Sequence, residues 1–289
     1  MKQFCNSVLV FLITTQVAFS QVRTVQELDV NWKFQKGINN EAFQVNFNDS
    51  KWETVTVPHD WAIYGPFDKE VDKQSVAIVQ NGEEVASEKT GRTGALPHIG
   101  TAWYRNKFTV PQYQKGKKVI LLFEGAMSEP QVYLNGKKVG EWAYGYSYFY
   151  FDVSEFIQDG ENTLAVEVSN KEFASRWYPG AGLYRKVSVI VKNKESINQW
   201  GTTITTPIIS DEFANVHVKT ETTGENTNLV TAIFNAEGEQ VAIEKTSTQF
   251  GNQFIQNIKI QRSEETNVCE GQYIPPNLIG LSSFILMFL

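Results

Sequence analysis

The chain has 289 residues, 42% hydrophobic and 20% charged, with a net charge of -6. That length suggests about two domains. The negative balance removes the electrostatic footprint a nucleic-acid partner requires. Aromatic residues reach 13%; rings that can stack on the apolar face of a pyranose suit a carbohydrate partner.

The first segment, MKQFCNSVLVFLITTQVAFSQ, reads as a signal peptide over residues 1–20. Lys2 supplies the positive start, Val8 to Ile13 the apolar run, and Ala18-Phe19-Ser20 the small-x-small cleavage site. The run is too short to span a bilayer comfortably. Export makes the expected location periplasmic or secreted, with no membrane span after signal removal. Cys5 leaves with the signal, so Cys269 stands alone and supports neither a disulfide nor a zinc site. His59, His98 and His217 show no ligand spacing, and no phosphate or dinucleotide loop is present, so neither cofactor nor metal is expected.

From 21 to 192 the pattern is strand after strand, broken by Gly, Pro, Asn and Asp every ten or so residues. The clearest runs are KWETVTVP, AWYRNKFTVP, KKVILLFEG, EPQVYLNGKKVGEW, NTLAVEVSN and YRKVSVIV. Asn135-Gly136 between two such runs is a strong hairpin signal. The polar stretch 68–100 holds a second candidate hairpin, SVAIVQNGEEVA, turning at Asn81-Gly82. Many short strands without intervening helices predict an antiparallel sandwich. A second block, 193–262, reads as about five strands spaced as in a partial immunoglobulin-like sandwich, fewer than the seven such a domain needs. Residues 263–289 lose strand alternation and end in the apolar FILMFL, a tail that fits neither sandwich.

The stretch SRWYPGAGLYRKVSVIV, residues 175–191, resembles a signature of the N-terminal sugar-binding domain of glycoside hydrolase family 2. WETVTVPHDW, GTAWYRNKFTVP and the segment from FEGAMSEP to LAVEVSN match further family motifs in the same order. The resemblance covers about residues 26–262 and is nearest to β-galactosidase-type members. It implies an all-β chain: a jelly-roll (galactose-binding-like) sandwich followed by an incomplete immunoglobulin-like sandwich. It also implies hydrolysis of terminal β-galactosides as the inherited role.

Family members carry their two catalytic glutamates on a TIM barrel. Such a barrel takes roughly 250 residues, and retaining hydrolysis needs two carboxyl groups about 5–5.5 Å apart. No such segment follows the strands here, and the family's Asn-Glu dipeptide occurs only at Asn40-Glu41, ahead of the sandwich motifs. The chain alone is therefore expected to be inactive, with no catalytic residue of its own. A stand-alone carbohydrate-binding module is the alternative.

Three residues are candidate sugar contacts. By the resemblance, Asp60 in VPHDW reaches the terminal sugar, where a carboxylate accepts from two adjacent hydroxyls; its other reading is an Asx-turn or helix cap. Arg176 and Trp177 open the signature, one as a donor to hydroxyls and the other as a wall; a surface arginine beside a core tryptophan is the alternative. Arg185 shares a strand face with Leu183, Val187, Val189 and Val191, which favours an ion pair with Glu124 or Glu129. If residues 142–151 are extended, Tyr144, Tyr146, Tyr148 and Tyr150 lie on one side, either as a stacking platform or as a half-buried strand, with Phe149 and Phe151 facing a core.

Overall fold

The computed structural model describes residues 23–63, 70, 73–90, 100–110, 116–170, 180–224, 227–235, 237–247, 251–261 and 285–288. Residues 1–20, read above as a signal peptide, therefore lie outside the described residues, as does most of the C-terminal tail. The fold is all-β, with open sheets and, among the described residues, one short 3-10 turn at Val79–Asn81.

The first twelve strands are β1 (Arg23–Glu27), β2 (Trp32–Lys36), β3 (Glu53–Val55), β4 (Lys73–Val76), β5 (Ser87–Thr90) and β6 (Gly100–Thr109), then β7 (Lys118–Phe123), β8 (Gln131–Leu134), β9 (Lys137–Glu141), β10 (Phe149–Asp152), β11 (Glu161–Asn170) and β12 (Val187–Lys192). A six-stranded sheet runs β3-β2-β6-β11-β8-β9 and a four-stranded sheet β1-β12-β7-β10. One core lies between them. Trp32, Phe34, Tyr104, Leu134, Leu164 and Val166 of the larger sheet share it with Leu121, Phe123, Phe149, Val187 and Val189 of the smaller. Alternation along each strand delivers those side chains to one face.

The Asn135-Gly136 hairpin forms as expected: both residues have positive φ, 52° and 78°, and Leu134 pairs with Lys137 across them. The hairpin at Asn81-Gly82 forms with a wider loop. Its strands are β4 and β5, and the 3-10 turn closes on Gly82 at φ 77°.

Strand β6 is buried on both faces. Ala102, Tyr104 and Phe108 enter the main core, while Trp103 packs with Ala42, Trp52 and Ala165 under the segment that joins β2 to β3. Arg105 on that second face is 1% exposed. Its Nε donates to Asp49 Oδ2 at 2.8 Å, and its Nη1 donates to the carbonyls of Ala42 and Gln44. Three oxygens thus accept from a charge that would otherwise be costly to bury, while Nη2 is buried without a hydrogen-bond partner among the described residues.

The remaining strands are β13 (Ile197–Ile209), β14 (Phe213–Thr222), β15 (Asn228–Phe234), β16 (Gln240–Ser247), β17 (Gln253–Gln261) and β18 (Ile285–Phe288). They make two three-stranded sheets, β13-β14-β17 and β16-β15-β18. The five strands expected from 193 to 262 are present, and residues 285–288 add a sixth by pairing antiparallel with β15. The core of this block is small: Val216, Val218, Ile233 and Ile258.

The two blocks meet at β12 and β13. Ile120 and Ile190, on the face of the four-stranded sheet turned away from the main core, are buried, and so is Lys192. Lys192 Nζ donates to the carbonyl of Ile197 at 2.7 Å. Among the described residues no helix is long and apolar enough to cross a membrane.

Candidate functional site

The segment after β3 and the segment before β12 run side by side at one end of the first sandwich. His59 N–H donates to Leu183 O at 2.8 Å and Trp61 N–H to Ala181 O at 3.1 Å. Asp60, half-buried between them, closes the splice with its side chain. Its Oδ1 accepts from Ala62 N–H at 2.9 Å, an Asx-turn, and from Ala181 N–H at 3.0 Å. The turn expected of an aspartate after a proline is present, and it is extended by a contact spanning 121 residues.

Gly180, Ala181, Gly182 and Leu183 are all buried. Gly182 bridges to Met127 through two backbone hydrogen bonds of 2.8 and 2.9 Å. Its φ is +109°, and a Cβ there would lie 2.2 Å from Tyr104 Oη and 2.7 Å from His59 O. Only glycine fits this conformation and this approach. Tyr184 Oη then donates to Gly145 O at 2.8 Å, which ties the turn after β9 to the same edge.

Behind this edge stands an aromatic cluster. The rings of Phe34, Trp61 and Tyr104 lie 4.9–6.4 Å apart, and the His59 ring meets Phe34 edge-on at 4.7 Å. His59 Nδ1 and Tyr104 Oη are 2.8 Å apart. Burial lowers the His59 pKa below its ordinary value, against the opposing pull of Glu53 and Asp60. Burial raises the Tyr104 phenol well above its own. Both shifts favour the neutral pair. A cleft of about 700 Å³ borders this cluster, lined by Phe34, Lys36, Glu53, His59 and Trp61 among others.

Of the candidate sugar contacts, Asp60 is placed at this edge, while Arg176 and Trp177 lie outside the described residues. Gly180 to Arg185 of the same signature reach Asp60, Met127 and Gly145. Arg185 differs from expectation because β12 begins only at Val187, so Arg185 precedes the strand. Its Nη1 contacts the carbonyl of Glu124 at 3.4 Å and its guanidinium covers the Tyr184 ring, centroid 5.3 Å away. The contact with Glu124 is thus to its backbone oxygen.

The aromatic run also departs from an extended strand. Residues 142–148 form a turn between β9 and β10, so alternation holds only from Phe149 onward. Phe149 and Phe151 do face the core and Tyr150 faces out. Two features had no sequence signal of their own: the Arg105–Asp49 pair, hidden by the covering segment, and the contact of Gly182 with Tyr104. Among the described residues no group of three or more His, Cys, Asp or Glu side chains is placed to hold a metal ion.

Comparison with known proteins agrees with this architecture. The family model for the sugar-binding domain of glycosyl hydrolases family 2 matches residues 25–193. The beta-galactosidase BoGH2A of Bacteroides ovatus is 33% identical over 232 residues, 78% of this chain and 25% of that protein. A beta-glucuronidase of Formosa agariphila is 30% identical over 255 residues, 79% of this chain and 24% of its own length. Among solved structures, a beta-glucuronidase from glycoside hydrolase family 2 superposes with a TM-score of 0.69 at 28% identity, covering 86% of this chain and 28% of that one. A beta-glycosidase from Bacteroides vulgatus gives 0.70 at 27% identity, covering 82% and 29%. The chain spans about a quarter of the length of the curated relatives it matches. With more than half of its residues inside the family model and its sheets matching those of solved members, this chain belongs to glycosyl hydrolase family 2 through that family's sugar-binding domain.

Proposed function

We propose that this chain is the sugar-facing front of an exported family 2 hydrolase of β-galactosidase type, acting on terminal β-galactosides. The observation that carries the reading is the splice of residues 59–62 to 181–183 through Asp60. It holds the two segments that the family resemblance assigns to the sugar at one rigid edge. The carboxylate is oriented by two backbone N–H groups, which suits a group that must present a fixed acceptor to a diol.

Such an edge makes a few hydrogen bonds, each worth about 0.5–1.5 kcal/mol net and up to about 3 with a charge. Association costs about 4–15 kcal/mol. Binding of galactose or lactose by the edge alone is therefore weak, millimolar at best. Hydrolysis requires the two carboxylates that the family resemblance places on a barrel, and the sugar-binding domain matched by residues 25–193 is a different domain. The mature chain, assayed with nitrophenyl β-galactoside and β-glucuronide, is expected to give no turnover above buffer. Turnover above the buffer control that survives repurification would sink the reading of an inactive front. A stand-alone carbohydrate-binding module is the second reading, favoured by the exposed tyrosines of the turn between β9 and β10.

A further inference from the structure

Trp200 occupies a conformation that its side chain does not favour. It lies in β13 with φ +55°, at a register shift between Ile197 and Thr202. A bulky residue in the left-handed region is strained, and an observed outlier of that kind is a pointer to function. The bulge is held tightly at its next residue: a Cβ on Gly201 would come within 2.7 Å of Asn198 Cβ and 2.8 Å of Glu221 O. The result is that the indole stands beside the first sandwich. Its ring centroid is 5.0 Å from Tyr150 and 6.3 Å from Tyr148, at 81° and 85° to them. The rings therefore form a re-entrant corner rather than a flat patch. Trp200 is 56% exposed, Tyr148 48% and Tyr150 38%.

The size of this corner limits what it can hold. An aromatic side chain buries roughly 150–250 Å² when fully covered. Three rings about half exposed offer roughly 300 Å² on that scale, well short of the ~800 Å² per partner of a stable protein interface. A second copy of the chain or a folded protein is thus a poor match. A glycan is a good one: the axial C–H groups of a pyranose stack on a ring face, and its hydroxyls reach the phenol O–H groups and the indole N–H at the rims. None of the three side-chain types brings a formal charge, which selects a neutral polymer over an acidic one.

The corner is also linked to the edge at Asp60 along the chain. The turn 142–148 runs between them. Midway along it Gly145 O accepts from Tyr184 Oη, near the Met127–Gly182 bridge. The Tyr144 and Tyr146 rings flank it, 5.7 Å apart, and Tyr148 at the end of the turn and Tyr150 in β10 meet Trp200. We propose that Tyr148, Tyr150 and Trp200 form a second glycan-binding corner, which takes remote residues of a neutral β-linked polysaccharide whose end lies at the Asp60 edge. The choice of ligand class rests on the sugar-facing reading above; the existence of a site at the corner rests on its own geometry.

The test is native affinity electrophoresis of the full chain in gels containing β-1,4-galactan, hydroxyethylcellulose or polygalacturonate. Retardation is expected in at least one neutral gel and not in polygalacturonate. Trp200→Gly removes the ring and places at φ +55° the residue that accepts it. This variant is expected to melt no lower than the parent and to bind at least tenfold more weakly. Tyr150→Ala serves as a second variant with the same expected loss. No retardation in either neutral gel, retardation in polygalacturonate alone, or unchanged binding by both variants would overturn the corner. So would a melting point several degrees lower in Trp200→Gly, which would make the indole a clasp between the sandwiches, or a dimer in sedimentation that Trp200→Gly dissolves. Binding lost in Asp60→Asn but kept in Trp200→Gly also rejects the corner while leaving the Asp60 edge intact. Turnover of nitrophenyl galactoside would reject the inactive-front reading and leave the corner standing.

Discussion

Asp60 Oδ1 accepts the Ala181 N–H at 3.0 Å and joins two segments 121 residues apart. The same oxygen closes the local turn on Ala62 at 2.9 Å. The carboxylate is thus a splice between two loops, and the sugar contact proposed for it rests on the same orientation.

Replacing Asp60 separates those roles. Asp60→Ala leaves two backbone N–H groups without their acceptor, both on buried residues, Ala62 and Ala181, and is expected to cost about 1–3 kcal/mol. Asp60→Asn keeps an acceptor oxygen in place and is expected to cost less than half as much. Urea titration of both variants measures the difference, and equal destabilisation would show that the splice does not depend on that oxygen.

Gly182→Ala is expected to be the most damaging glycine substitution at the site. The added methyl meets Tyr104 Oη at 2.2 Å and the His59 carbonyl at 2.7 Å, on a backbone already at φ +109°. A loss of about 3 kcal/mol or more follows from strain plus displacement of packed groups. Gly37→Ala has the same φ with nothing within 4 Å, so it reports the backbone term alone, about 1–2 kcal/mol. Thermal melts of the pair separate crowding from conformation.

Arg105 tests burial of charge. Arg105→Met strands Asp49 and removes the donors to Ala42 O and Gln44 O, which is expected to cost about 3–5 kcal/mol. Lys107, two residues along the same strand, pairs with Glu161 in the open at 2.8 Å. Lys107→Ala is expected to cost under about 1 kcal/mol. Similar denaturation midpoints for the two variants would contradict the burial argument.

Lys192 makes stability pH-dependent at the junction of the two blocks. Burial, with the nearby charges of Lys118 and Arg23, lowers its ammonium pKa from 10.5 to about 8, with Asp152 opposing. The folded pKa is below the unfolded one, so the unfolded chain binds more protons between about 8 and 10.5. The cost of burying the ammonium is present in full below pH 8 and is relieved as pH rises through that window. The melting temperature of the parent relative to Lys192→Met is therefore expected to rise between pH 7 and pH 9.5. A flat difference would show that the junction does not shift this group.

Local pattern carried most of the architecture. Period-two alternation placed the strands from β6 to β17, and Asn135-Gly136 marked its hairpin, because pleat and turn geometry depend on neighbours in the chain. The ordered motifs from WETVTVPHDW to SRWYPGAGLYR pointed to the family for the same reason: each is a contiguous run. Alternation succeeded at Phe149 and Phe151 and failed at Tyr144 and Tyr146, where the backbone turns. What only the tertiary structure decided are the contacts between runs. The segment after β2 covers Arg105, and Tyr104 and His59 close on Gly182. A bulge brings Trp200 to Tyr150. Each of these is a long-range packing relation, set by how sheets stack and where bulges fall, and no local period encodes it.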